Sequence, residues 1–243
     1  MKQNSARRQR VVVLISGSGS NLQALIDGSR AGDLPIDIVA VVSNRPSVLG
    51  LTRAQEANIP TAVLDHKNFA DRESFDNALM DIIDNFQPEL VLLAGFMRIL
   101  SVAFTQHYAG KMLNIHPSLL PKFQGLHTHQ RALDAGEKRH GVTVHFVTAE
   151  LDGGPAIVQA SVPILPGDDA KCLATRVQQQ EHIIYPLAVK WFTSGDLTME
   201  DGRALLKGKL LPISGVHITS DEMSDKVLNE MTDRVSNEMP GKP

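Results

Sequence analysis

A single cysteine, Cys172, is all the chain carries. An internal disulfide framework is therefore excluded, and the place of Cys172 in a helical stretch reads as a buried, inert thiol. Basic charge is not in excess either. A net charge of -3 and a pI near 6.3 lack the electrostatic footprint of a nucleic-acid binder. Long apolar runs are missing: after the basic start MKQNSARRQR only VVVLI precedes SGSGS, too short for a signal peptide or a membrane span. The expectation is a soluble, cytoplasmic protein with no nucleic-acid and no membrane partner. No internal repeat and no G-x-S-x-G nucleophile elbow occurs. At 243 residues the chain can bury a sizeable core as one large domain or two small ones.

What is present begins with SGSGSN, residues 16–21, a glycine-rich turn between VVVLI and the helical LQALID. Two well-known guests of such turns fail on residue types. A dinucleotide fingerprint needs a third small residue where Leu22 stands, and an acidic end to the second strand, which closes instead on Ser43 and Asn44. A triphosphate loop needs Gly-Lys-Ser/Thr opening the helix, and no lysine lies between Lys2 and Lys67. What remains is backbone free to approach a ligand and N–H groups at a helix start, which suit a single phosphate monoester. The alternative is a plain βα turn with Ser20 as helix cap.

Apolar runs rich in β-branched residues at 11–15, 36–42, 61–64, 90–94 and 111–115 alternate with helical periodicity near 20–30, 48–57 and 71–86. This alternation predicts an α/β fold with a mainly parallel central sheet flanked by helices. From 141 the stretch GVTVHFVTAELDGGPAIVQASVPI alternates with period two around LDGGP, predicting an antiparallel extension. A long helix over 169–193 follows. The expected division is a flexible leader at 1–10, a catalytic domain at 11–215 and a C-terminal tail at 216–243, with KLLPISGVHIT reading as a last strand or a docked tail. In that tail Met223, Val227, Met231, Val235 and Met239 recur every four residues and fit a short amphipathic helix, against which stands a disordered tail.

The richest stretch is KMLNIHPSLLPKFQG. Asn114 and His116 stand two apart at a strand end, so their side chains leave on one face, and Pro117 stops the strand and holds His116 extended. An amide donor beside an imidazole suits acyl transfer: the amide stabilises an oxyanion while the imidazole handles a proton. The alternative is that both merely satisfy loop backbone. With no serine or cysteine nucleophile in evidence, direct attack by a substrate nucleophile is the simpler scheme. Histidines 116, 127, 129, 140 and 145 crowd together, yet no carboxylate or thiol of matching spacing joins them, so no metal is expected. Asp152 sits at the tip of the LDGGP turn, from where a carboxylate can reach back over the sheet edge; the alternative is plain Asp-Gly hairpin chemistry.

Taken together, SGSGSNLQALI, LAGFMRIL, LNIHPSLLPKFQGLHTHQRAL, GVTVHFVTAELDGGPAIVQ and RVQQQEHIIYP resemble the folate-dependent glycinamide ribonucleotide formyltransferases, evenly spaced from about residue 10 to 193. The resemblance implies a Rossmann-like formyltransferase fold. It also implies a catalytic set on Asn114, His116 and Asp152, in which Asp152 beside His116 favours the charged imidazolium donor. It assigns the ribonucleotide phosphate to Gly19, Ser20 and Asn21, and the ribose to Glu181. For the cosubstrate, 10-formyltetrahydrofolate, it implies Arg72, Met97, Arg98, Ile99, Leu100, Asn114 and Glu150, with the TAELD loop at 148–152 forming part of the pterin pocket. The implied reaction is formyl transfer by direct amine attack, without a covalent enzyme intermediate and without a metal, in a monomer or homodimer. Formyltetrahydrofolate deformylases share the trio but carry a regulatory domain ahead of it, and ten residues precede the first strand here. Transfer RNA formyltransferases add a C-terminal RNA-binding barrel, for which the stretch after 195 is too short and too acidic.

Overall fold

The computed structural model describes residues 7–219. It divides into two compact units, with the boundary after Asn114. No composition shift marks that boundary, because it falls inside a strand.

The first unit is a run of strand and helix in alternation. It comprises β1 (Gln9–Ile15), α1 (Ser20–Ala31), β2 (Ile36–Ser43), α2 (Leu49–Glu56), β3 (Thr61–Val63), α3 (Arg72–Asn85), β4 (Leu90–Leu93), α4 (Val102–His107) and the first residues of β5 (Met112–His116). All its strand pairs are parallel: β3 with β2, β2 with β1, β1 with β4 and β4 with β5. Val11 to Ile15 and Leu90 to Leu93 are almost wholly buried, which is why they read as unbroken apolar runs rather than alternating ones. The order runs outward from β1 to β3 on one side and to β4 and β5 on the other. The crevice beyond the C-terminal ends of β1 and β4 is therefore the topological switch point where open α/β sheets bind ligands. The loops that open there are 16–19 and 94–101.

The second unit carries α5 (Thr128–Asp134), β6 (Arg139–Phe146), β7 (Ala156–Pro163), α6 (Ala170–Thr193), β8 (Leu197–Glu200), β9 (Arg203–Leu206), β10 (Lys209–Leu210) and β11 (Val216–Thr219). Strands β6 and β7 pair antiparallel, as the period-two pattern predicts, and β11 joins β7 in parallel. Strands β8 to β10 form a small antiparallel sheet of their own.

Three expectations and one alternative reading change. Gln9 and Arg10 belong to β1, so the leader is shorter than 1–10. Val216–Thr219 is a sheet strand rather than the start of a tail; the methionine-spaced segment from 223 on lies outside the described residues. Cys172 is exposed, because the buried stripe of α6 runs through Leu173, Val177, Gln180 and Ile184, one position round the helix. Gly19, not Ser20, occupies the N-cap of α1, with φ 71. No helix among the described residues is long and apolar enough to cross a membrane.

Candidate functional site

In the second unit, one carboxylate lies between two imidazoles. Asp152 Oδ2 is 3.5 Å from His116 Nδ1, and Asp152 Oδ1 is 3.9 Å from His145 Nε2. The Asp152 side chain is only 10% exposed and that of His116 7%, so the pair is shielded from the screening that weakens surface ions. Gly125 N donates to Asp152 Oδ2 at 2.9 Å. His116 Nε2 donates to the Phe123 carbonyl at 3.0 Å. Both ring nitrogens of His116 thus face oxygen acceptors, an arrangement that a doubly protonated ring satisfies at both ends.

His116 and His145 lie on β5 and β6, and two loops bring the groups that meet them. The first, after β5, is braced by Arg131 of α5, whose guanidinium donates to the Gln124 and Leu126 carbonyls and lies 5.5 Å from the Phe123 ring centroid. The second joins β6 to β7 and carries Asp152 at φ 50, a left-handed conformation that Asp tolerates better than most residues. Gly154 follows, with its Cα so near Phe146 that a Cβ would stand 1.9 Å from the Phe146 carbonyl oxygen. That carbonyl also accepts from His145 Nδ1 at 2.8 Å. His145, which the sequence marks only as one of a cluster of histidines, is the second imidazole at Asp152. Burial drives its pKa down, against the pull of the Phe146 carbonyl and of Asp152.

Asn114 precedes His116 by two residues on β5, which places both side chains on the same face of that strand. Glu150 is exposed on the β6–β7 loop, and Glu181 is partly buried on α6.

In the first unit the SGSGSN turn is held from below. Gly50 N donates to Gly17 O at 3.0 Å, Arg53 Nε donates to Ser18 O at 2.9 Å, and a Cβ on Gly19 would come within 2.7 Å of Gly50 Cα. Two glycines therefore let the turn rest on α2 just before α1 begins. Ser16 Oγ accepts from Met97 N at 2.8 Å and donates to Asn44 Oδ1 at 2.5 Å, joining the loops after β1, β2 and β4. Met97 and Ile99 are 55% and 52% exposed. Leu100 is buried, so what it can offer a ligand is its backbone. Arg72 is exposed at the start of α3, and Arg98 lies 4.8 Å over the Phe75 ring.

Two more of the clustered histidines form a second group. His129 and His140 meet edge to face at 5.2 Å, and His140 lies 6.1 Å from Phe123 in the same manner. Burial, reinforced by the neighbouring His129, lowers the pKa of His140 to about 4. Among the described residues no group of three or more His, Cys, Asp and Glu could hold a metal ion.

A pH dependence follows. An unfolded histidine takes up its proton near pH 6.5, the folded His140 near 4, so between these values the unfolded chain binds more protons. The stability this group contributes is whole above about pH 6.5 and is lost progressively as the pH falls toward 4. Thermal unfolding of a His140→Phe variant over this range should show a shallower fall in Tm than the parent chain. Equal slopes would contradict the assignment.

A formyl transferase family model matches residues 9–189. Phosphoribosylglycinamide formyltransferase of Escherichia coli (strain K12) is 53% identical over 205 residues, covering 84% of this chain and 97% of that protein. Among solved structures, the phosphoribosylglycinamide formyltransferase of Coxiella burnetii superposes with a TM-score of 0.83 at 51% identity, covering 87% of this chain and 99% of the other. A formyltetrahydrofolate deformylase from Burkholderia mallei is more distant, with a TM-score of 0.75 and 30% identity over 83% of this chain and 71% of its own. The fold is the Rossmann-like α/β fold of these structures.

Proposed function

Because the chain belongs to the formyl transferase family, we propose that it transfers the formyl group of 10-formyltetrahydrofolate to the amine of 5-phosphoribosyl-glycinamide, a step of purine synthesis. The observation that carries this reading is the Asp152 carboxylate beside His116, at the end of the strand that bears Asn114. Acyl transfer needs an oxyanion stabiliser and a proton carrier held in fixed relation.

The substrate amine attacks the formyl carbon directly and gives a tetrahedral intermediate. Asn114 donates its amide N–H to the oxyanion. His116 Nε2–H, held against Phe123 O, is the second donor, for which the oxyanion competes with that carbonyl. Asp152 orients the ring from its other nitrogen and stabilises it when protonated. The proton that the amine loses passes to the leaving folate nitrogen through His116 or through a water held by Asp152. No side chain forms a bond to the formyl carbon.

The ribonucleotide phosphate docks on the N–H groups at the start of α1, contacted by Gly19, Ser20 and Asn21, and Glu181 accepts from the ribose hydroxyls. The folate lies along 97–100, with Arg72 toward its glutamate tail and Glu150 beside the pterin. Water as acceptor, the deformylase reaction, uses the same trio. The 30% identity to the deformylase against 53% to the transferase weighs for the amine.

Carbon-13 in the formyl group of the donor tests the reading. In the presence of both substrates the label should appear in a formamide on the ribonucleotide, and the mass of the protein incubated with donor alone should not change. Label in formate, or attached to the protein, would contradict it.

One substitution tests the phosphate turn separately. Gly19→Ala places a methyl group against the Gly50 backbone at 2.7 Å and in a left-handed conformation with φ 71, so the turn must shift. The KM for the ribonucleotide should rise by about tenfold or more, as expected for one lost charge-assisted hydrogen bond. The KM for the folate should hold. A rise confined to the folate would contradict the assignment.

A further inference from the structure

We propose that Asp76 is a positioning residue for the formyl-folate donor, fixing the segment 97–101 of that site from within α3. The inference rests on the function proposed above and adds to it a residue outside the motifs that suggest it.

Asp76 is fully buried, at 0% exposure, on the face of α3 that otherwise presents Phe75, Leu79 and Ile83 to the core. A carboxylate among such residues is costly unless it is bonded and paired with charge. Its Oδ2 accepts from Ser101 N at 2.6 Å. Its Oδ1 is sealed from solvent with no hydrogen-bonding partner among the described residues. The charges it meets are those of Arg98 and Arg72, both of which favour its ionised form, while burial opposes it and raises the pKa overall. Arg72 stands one helical turn before Asp76 on α3. Arg98 lies over the ring of the adjacent Phe75.

The consequence for 97–101 is a segment pinned at both ends. At one end Met97 N donates to the buried Ser16 hydroxyl at 2.8 Å. At the other, Ser101 N donates to Asp76, while Ser101 Oγ accepts from Phe104 N at 3.3 Å and caps α4. Between the pins, Met97 and Ile99 are exposed. An apolar residue at 76 would fill the core equally well but would leave Ser101 N without its acceptor.

The test is steady-state kinetics of Asp76→Ala and Asp76→Asn with each substrate varied in turn. Asp76→Ala removes both the anchor and the charge, and should raise the KM for the formyl-folate by about tenfold, or about 1.4 kcal/mol. The KM for the ribonucleotide should stay within about twofold. Asp76→Asn keeps an amide oxygen for Ser101 N but removes the charge, and should give a rise of about threefold. A merely structural role would lower the amount of active enzyme, and so the apparent kcat, without moving either KM. If the Ala variant does not fold, the Asn variant decides. An unchanged folate KM, or a parallel rise in both KM values, overturns the proposal. Wild-type protein assayed alongside keeps the two claims apart, since absence of transfer there would count against the function and not against Asp76.

Discussion

Asp152→Asn should lower kcat by about 10²–10³-fold while leaving both KM values within a few-fold. The substitution keeps the size and one acceptor oxygen of the side chain, so Gly125 N can still be satisfied. It removes the negative charge that faces His116 Nδ1 at 3.5 Å and His145 Nε2 at 3.9 Å. It also brings an NH₂ group, a donor, against one of these rings, where a protonated imidazole would present another donor. The protonated state of His116 then loses its stabilising partner at the moment when charge develops on the oxyanion. Because the effect falls on the transition state, kcat and kcat/KM should drop together. Measuring both constants, with a thermal melt to establish that the variant folds, checks the claim. An unchanged kcat would remove Asp152 from the mechanism.

The second large effect belongs to a residue with no side chain. Gly154→Ala puts a methyl carbon 1.9 Å from Phe146 O and 3.2 Å from Thr148 Cγ2. The Phe146 oxygen is backbone and accepts from the His145 ring. Nothing can yield cheaply, so the β6–β7 loop must open, carrying Asp152 away from both histidines. The expected cost is about 2–4 kcal/mol of stability. An activity loss of about tenfold or more should remain even where the variant is folded, since a misplacement of about 1 Å suffices. Gly153→Ala is the control. Its added carbon would meet Glu150 Cδ at 2.3 Å, the far end of an exposed, flexible side chain that can swing aside, so its effect should stay within about 1 kcal/mol. Chemical denaturation and initial rates on the pair decide the matter; equal behaviour of the two variants would contradict it.

How much of this was legible in the sequence depends on how local each signal is. Fully buried parallel strands announce themselves as β-branched apolar runs, and β1, β2, β4 and β5 lie within two residues of the stretches read from composition. The ends of α3 and α6 are equally local: Asp71 caps Ser74 N and Asp169 caps Cys172 N. Helices α4 and α5 escaped because six and seven residues are too few for periodicity to show. The small sheet β8–β10 was readable but missed. Asp201-Gly202 and Lys207-Gly208 both have positive φ at each residue, the two-residue hairpin chemistry that an Asp-Gly pair signals.

At the candidate site, a strand end, a proline and a glycine turn mark Asn114, His116 and Asp152 in the sequence, and the structure brings His116 and Asp152 together. His145 carries no such mark. It sits inside β6, whose last seven residues are all buried, so its polar character looked like one more alternation, and only the fold of the 147–155 loop brings it to Asp152. Asp76 and Ser16 are hidden for the same reason: each acts on backbone 25 and 81 residues away, a relation no spacing within a motif encodes.

The central claim is that the formyl acceptor is the amine of the ribonucleotide. The direct test follows deformylated folate by absorbance with 10-formyltetrahydrofolate alone and again with 5-phosphoribosyl-glycinamide added. The account predicts release that requires the ribonucleotide and saturates with it. Release at the same rate without it would make water the acceptor and contradict the claim.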